Sequence, residues 1–283
     1  MNIMKNVYLL SFLCASCITA TATPLLYQSF SGTAGSSLSS VSGVTLSGSG
    51  SAPTLASGNL NYTGIADPVG NTAFLPNNSQ TASINYTSQT SPSDTLGFNN
   101  TYMSFMLKLP SVSGLGATGS RFIWLSQNST SVASIWIKSN GSGFSLGVSR
   151  DLSTVQWNNS EIFSANNTMF MVVDYSWEAP FGRPGAIHAW LMPPQDQLLT
   201  DYRGADNGPG NNAAFFVTDS NNSLFPNTVS FASASGTGIN LDELRVGTKW
   251  SEVTPVPEPS TTALAAFGIM GLAVGYHRRK KSF

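Results

Sequence analysis

"ASIWIKSNGSGFSLGVSR", residues 133–150, holds two runs of alternating side chains on either side of a turn. In the first run Ala133, Ile135 and Ile137 share one side, and Ser134, Trp136 and Lys138 share the other. In the second, Phe144, Leu146 and Val148 oppose Ser145, Gly147 and Ser149. A period of two belongs to a half-buried β-strand, because successive side chains leave a strand on opposite faces. Asn140-Gly141 between the runs tolerates positive φ, the signature of a tight hairpin. The stretch reads as two antiparallel strands with an apolar inner face and a polar outer one.

The same period extends outward along the chain. In "TYMSFMLKL" (101–109) Met103, Phe105, Leu107 and Leu109 share a face. "MFMVVDYSW" (169–177) is apolar on both sides, as a central strand covered on both faces would be. "AIHAWLM" (186–192) sets Ile187, Ala189 and Leu191 against His188, Trp190 and Met192. In "NLDELRVGTKW" (240–250) alternation places Leu244 and Val246 with Asp242, and Glu243 and Arg245 with Leu241. Pro193-Pro194 closes one strand, and "RGADNGPGNN" (203–212) is a loop. Helical periodicity is absent outside the termini. Many short strands separated by turns predict an all-β, jelly-roll-type β-sandwich over residues 23–254.

Composition points outside the cytoplasm. Only 10% of the 283 residues are charged, against about 25% in ordinary soluble domains. Residues 23–254 carry eight basic and thirteen acidic groups, so nothing there attracts nucleic acid. Lys5, the apolar run Val7–Ile18 and the small residues Ala20 and Ala22 form a secretory signal over residues 1–22. The apolar run is too short to span a bilayer, which favours cleavage over a permanent anchor. Both cysteines, Cys14 and Cys17, lie inside the signal. Lipidation at Cys17 is the alternative, although Cys14 stands where a lipobox prefers Leu. Cleavage after Ala22 leaves a chain without disulfides or thiol chemistry.

The other terminus has three parts. Residues 255–260 are a Pro-rich linker containing Pro257-Glu258-Pro259. Residues 261–276 are uncharged and predict a single membrane span of about 24 Å at 1.5 Å per residue. Residues 277–283 form a basic tail in which Arg278, Arg279, Lys280 and Lys281 halt transfer on the cytoplasmic side. Lys280-Lys281 also fits a dilysine retrieval signal, a reading that leaves the Pro-Glu-Pro without a role.

These parts, in this order, resemble the PEP-CTERM sorting signal of Gram-negative bacteria. The resemblance implies an exosortase-type membrane enzyme as partner. It also implies Pro257, Glu258 and Pro259 as the recognised motif, and an anchored precursor that ends at the cell surface or in an exopolysaccharide matrix. Two prolines keep such a motif extended, the form a protease-like site grips. "LLYQSFSGTAGSSLSS" (25–40), "AWLMPP" (189–194) and "INLDELRVGTKWSEVTP" (239–255) resemble strands of concanavalin A-like, laminin-G-like domains. Met192-Pro193 departs from the Asn-Pro expected there. That resemblance implies a fold and carries no catalytic residue.

Chemistry is sparse. His188 is the only histidine before the tail, no Gly-x-Ser-x-Gly occurs, and a Cys/His zinc site has no ligands. Adjacent Asp242 and Glu243 on a regular strand face opposite ways and cannot act as paired carboxylates. Glu243 and Arg245 read as a surface ion pair. Asp201, Asp206, Asn207 and Asn211 share an oxygen-rich loop able to hold Ca²⁺, without EF-hand spacing. Trp124, Trp136, Trp157, Trp177 and Trp190 either fill the core or stack on sugars, and Trp136 is the one placed with polar neighbours. The expectation is a non-enzymatic surface protein, structural or adhesive in an exopolysaccharide matrix, with polysaccharide as a candidate ligand. The alternatives are a secreted jelly-roll carbohydrate-active enzyme and a permanently anchored lectin-like protein.

Overall fold

The computed structural model describes residues 23–65, 68–88, 98–150, 154–158, 162–178, 186–191, 215–218 and 224–254. The predicted signal (1–22), the Pro-Glu-Pro linker, the predicted span and the basic tail lie outside them. So do Asp201, Asp206, Asn207 and Asn211. Among the described residues no helix is long and apolar enough to cross a membrane.

Strands follow one another as β1 (Leu26–Gln28), β2 (Val44–Ser47), β3 (Thr54–Ala56), β4 (Thr72–Leu75) and β5 (Thr81–Asn85). Then come β6 (Phe98–Lys108), β7 (Ser120–Gln127), β8 (Thr130–Asn140), β9 (Gly143–Ser149) and β10 (Gln156–Trp157). β11 (Met169–Glu178), β12 (Ala186–Leu191), β13 (Phe215–Thr218), β14 (Thr228–Phe231), β15 (Ile239–Gly247) and a single turn of helix, α1 (Trp250–Val253), complete the order. They form two sheets. Sheet one runs β13-β12-β11-β6-β15-β4-β3, with β1 also paired to β15. Sheet two runs β10-β9-β8-β7-β14-β5-β2. Every pairing between these strands is antiparallel. The expected all-β sandwich is therefore present, and its first and last strands lie side by side.

Alternation explains how the sheets meet. Met103, Phe105 and Leu107 of β6 face Phe122 of β7 and Ile135 and Ile137 of β8 across one core. Phe105 and Phe122 meet edge-on at 5.9 Å, and Phe30 meets Phe231 in the same way. Each such ring contributes roughly 2–3 kcal/mol by burial. The hairpin signal at Asn140-Gly141 is realised one residue later. Asn140 pairs with Gly143, so the turn is Gly141-Ser142, with Gly141 at φ +57°.

Sheet one is buried on its outer side as well. Leu60, Ile65, Tyr102, Met106, Phe170, Val172, Trp190, Trp250 and Val253 form a second apolar cluster there. α1 sets Trp250 edge-on to Trp190 at 5.1 Å and to Tyr102 at 6.2 Å. The segment from Leu60 to Ile65 is clasped by Asp242, whose carboxylate accepts from the Leu60 and Glu243 N–H groups at 2.8 Å each. This double cover is why β11 reads as apolar on both sides.

The closing strand departs from simple alternation. A bulge lies between Asp242 and Arg245, with Glu243 at φ +50°. Asp242 pairs with Met106 and Arg245 with Ser104, so both belong to the outer side, while Leu241, Leu244 and Val246 enter the core. Asp242 is thus not on the side of Leu244, nor Arg245 on that of Leu241. The expected surface ion pair is also revised. Glu243 Oε2 accepts from Arg245 at 2.9 Å with Glu243 buried, and Glu243 Oε1 accepts from the Tyr27 hydroxyl at 2.9 Å. The guanidinium lies 3.9 Å over the Tyr27 ring. The bulge turns a surface pair into a three-residue junction between β1 and β15, with Glu243 buried, Arg245 half-buried and Tyr27 exposed.

Candidate functional site

The outer face of sheet two is built on a floor of small residues. Ser134, Ser145 and Ser149 are buried there, with Gly147 between the last two along β9. Across β7, β8, β9 and β10 the register sets Arg121 opposite Trp136, Trp136 opposite Gly147, and Gly147 opposite Trp157. One step along, Trp124 stands between Ser230 and Ser134, and Ser134 faces Ser149. Trp124, Trp136 and Trp157 are all half-buried and share this face.

Each indole is held by a local cause. A Cβ at Gly147 would come within 2.7 Å of the Trp157 ring and of Val155, so glycine is what lets Trp157 lie on the sheet. Trp136 leans over β9 and donates its indole N–H to Ser149 Oγ at 2.7 Å. Arg121 Cζ stacks 3.9 Å above the Trp124 ring, and Lys138 Nζ sits 4.5 Å above Trp157. Such contacts stabilise by roughly 0.5–2 kcal/mol as water is excluded. Partial burial pulls the Arg121 guanidinium below its ordinary pKa. Beside these strands, the Ser83 and Ser230 hydroxyls share a hydrogen bond of 2.8 Å and continue the polar surface towards β2. The result is a layered face: hydroxyls and glycine beneath, indoles above them, two cations on top.

Trp136 was placed by alternation on a polar face, and the structure puts it there, half-buried and hydrogen-bonded. Trp124, Trp157, Arg121 and Lys138 share its face, and single-strand alternation missed the group. A bulge between Arg121 and Ile123 turns both Phe122 and Ile123 inward, so Arg121 and Trp124 emerge on one face. Trp190, by contrast, belongs to the second apolar cluster.

Two other places bear on chemistry. On the outer side of sheet one, Asp174 lies opposite both Tyr102 and His188. Its Oδ2 is 3.6 Å from His188 Nδ1, longer than a hydrogen bond. A cleft of about 690 Å³ lies between Asn61, Tyr62, Ile162, Phe163 and Asn166. Among the described residues no three His, Cys, Asp or Glu side chains gather to hold a metal.

Comparison with known proteins assigns the tail. Residues 255–280 match the PEP-CTERM protein-sorting motif. The PEP-CTERM motif is the recognition signal for exosortase, and it marks this chain as exported, sorted towards the cell envelope. No curated protein sequence matches the chain. Three solved structures are similar in outline. The endo-β-1,4-glucuronan lyase of the fungus Trichoderma reesei has 9% identity and a TM-score of 0.44, over 82% of this chain and 98% of that one. The alginate lyase Aly36B has 11% identity and a TM-score of 0.43, over 80% and 98%. The CBM2 module of the evolved Dit of Lactobacillus casei BL23 phage J-1 has 12% identity and a TM-score of 0.40, over 80% and 96%. At such scores these likenesses say nothing of what this chain binds.

Proposed function

We propose that this is a non-catalytic component of a Gram-negative cell surface or exopolysaccharide matrix, binding polysaccharide through the outer face of sheet two. It is made as a precursor anchored in the inner membrane by residues 261–276. An exosortase-type enzyme then acts near Pro257-Glu258-Pro259. One observation carries the binding reading: Trp124, Trp136 and Trp157 share a single sheet face with Ser, Arg and Lys around them. Sugars present C–H faces that indoles accept, and hydroxyl edges that Ser, Lys and Arg can hydrogen-bond. The test is retention of the exported protein on insoluble extracellular glycan from its own cells. Trp157→Ala is expected to lose most of that retention while the protein stays folded, with its melting temperature lowered by only a few degrees. Undiminished retention ends the reading.

The alternative of a carbohydrate-active enzyme draws on Asp174 and His188, the acid and imidazole that meet on sheet one. Release of reducing ends from the same glycan, abolished by His188→Ala, would replace the non-catalytic reading.

A further inference from the structure

We infer that the outer face of sheet two selects polysaccharides bearing carboxylates, with Arg121 and Lys138 as the groups that bind them. The inference rests on the glycan-binding reading of the same face and narrows it. Its first ground is charge. The seven strands of sheet two contain no Asp and no Glu, and Arg121 and Lys138 are their only charged residues. Sheet one carries Asp174, Glu178, Asp242 and Glu243 in its strands, against Lys108 and Arg245. In a body with net charge −5, the one cationic sheet face is the one with the indoles.

The second ground is how those cations are held. Among the described residues neither Arg121 nor Lys138 makes an ion pair, whereas Arg245 is paired with Glu243. Each cation lies over an indole, which orients it without neutralising it. Arg121 is also partly desolvated, so an arriving carboxylate recovers interaction that water no longer supplies. The same stacking changes the expected mode of recognition. Trp157 lies against Gly147 and Gly119, and Lys138 sits over its ring. A sugar therefore meets ammonium and guanidinium groups first and indole edges second. Flat stacking of a neutral pyranose on the covered faces of Trp124 and Trp157 would require Arg121 and Lys138 to swing away.

The experiment compares two forms of one polymer. Polygalacturonate and its fully methyl-esterified form share a backbone and differ in carboxylate charge. Binding of the exported protein to each, immobilised, is measured at 50 and 500 mM NaCl. Expected is at least tenfold tighter binding to the acid form at low salt, most of it lost at high salt. Arg121→Gln with Lys138→Gln should remove the preference. Arg121→Lys with Lys138→Arg, which keeps both charges, should retain it, and Lys249→Gln on the exposed start of α1 should change nothing. Equal binding to both polymers overturns the inference and leaves the glycan reading standing. Binding to neither, together with no retention on the native glycan, overturns both. Equally tight binding to double-stranded DNA overturns the inference too, since the face would then be reading charge alone.

Discussion

Asp242 makes stability fall as pH rises, the reverse of an ordinary paired carboxylate. Its side chain is fully buried beneath the Leu60–Ile65 segment. Burial, with Glu243 nearby, pushes its pKa up from 3.8 to about 7, and the two backbone N–H donors only partly oppose this. Between these values the folded chain keeps a proton that the unfolded chain has lost, so the stability of unfolding falls with pH. Below about pH 4 both states are protonated and there is no penalty. Above about pH 7 both are ionised and the full penalty holds. Raising a carboxyl from 3.8 to about 7 corresponds to on the order of 4 kcal/mol.

Asp242→Asn isolates the effect. Asparagine offers one acceptor oxygen where the carboxyl has two, so one N–H loses its partner, at about 1–3 kcal/mol. The variant should be the less stable protein at pH 4. Because it cannot ionise, it should equal or exceed the parent at pH 8. The assay is urea unfolding of both proteins from pH 4 to pH 8, read as the difference in free energy between them. That difference should move in the variant's favour by about 3–4 kcal/mol across the window. A pH-independent difference, or one moving the other way, would show that Asp242 is ionised throughout and refute the reasoning.

Other perturbations have equally direct readouts. Gly147→Ala forces β10 and Trp157 off the sheet, because the new Cβ falls within 3 Å of the ring and of Val155. Tryptophan fluorescence should shift to the red and stability should drop by about 1–3 kcal/mol. Phe105→Ala opens a cavity at the centre of the sandwich against Phe122, and chemical denaturation should show a loss of about 3–5 kcal/mol. Glu243→Ala removes the ion-pair partner of half-buried Arg245 and the acceptor of the Tyr27 hydroxyl, costing about 1–3 kcal/mol in the same measurement. It should also bring the Tyr27 phenol down from about 12, since Glu243 is part of what raises it, which ultraviolet titration would detect. Mass spectrometry should find extracellular protein ending near Pro257–Ser260, and membrane-bound precursor that retains Tyr276 and the basic run Arg278–Lys281.

The site was only half legible in the chain. Trp136 could be assigned to a polar face because β8 keeps perfect alternation from Ala133 to Lys138. Arg121 could not be joined to Trp124, because the β7 bulge adds a residue that one-strand periodicity counts wrongly. Trp157 sits in a two-residue strand, too short to carry any period. The same failure recurs in β15, where one extra residue at Glu243 moves Asp242 and Arg245 to the outer side together.

The class of fold and the route of export were legible from neighbouring residues alone. A period of two is local, and so is a Pro-Glu-Pro followed by an apolar run and a basic cluster; each can be read without knowing what lies beside it. Which strands pair, where a bulge restores register and which sheet face stays open depend on partners far apart in the chain. Leu60 meets Asp242 across 182 positions, and the Ser83 and Ser230 hydroxyls meet across 147. Only the folded sandwich decides that sheet one is covered on both sides. It leaves sheet two presenting three indoles and two cations on one face.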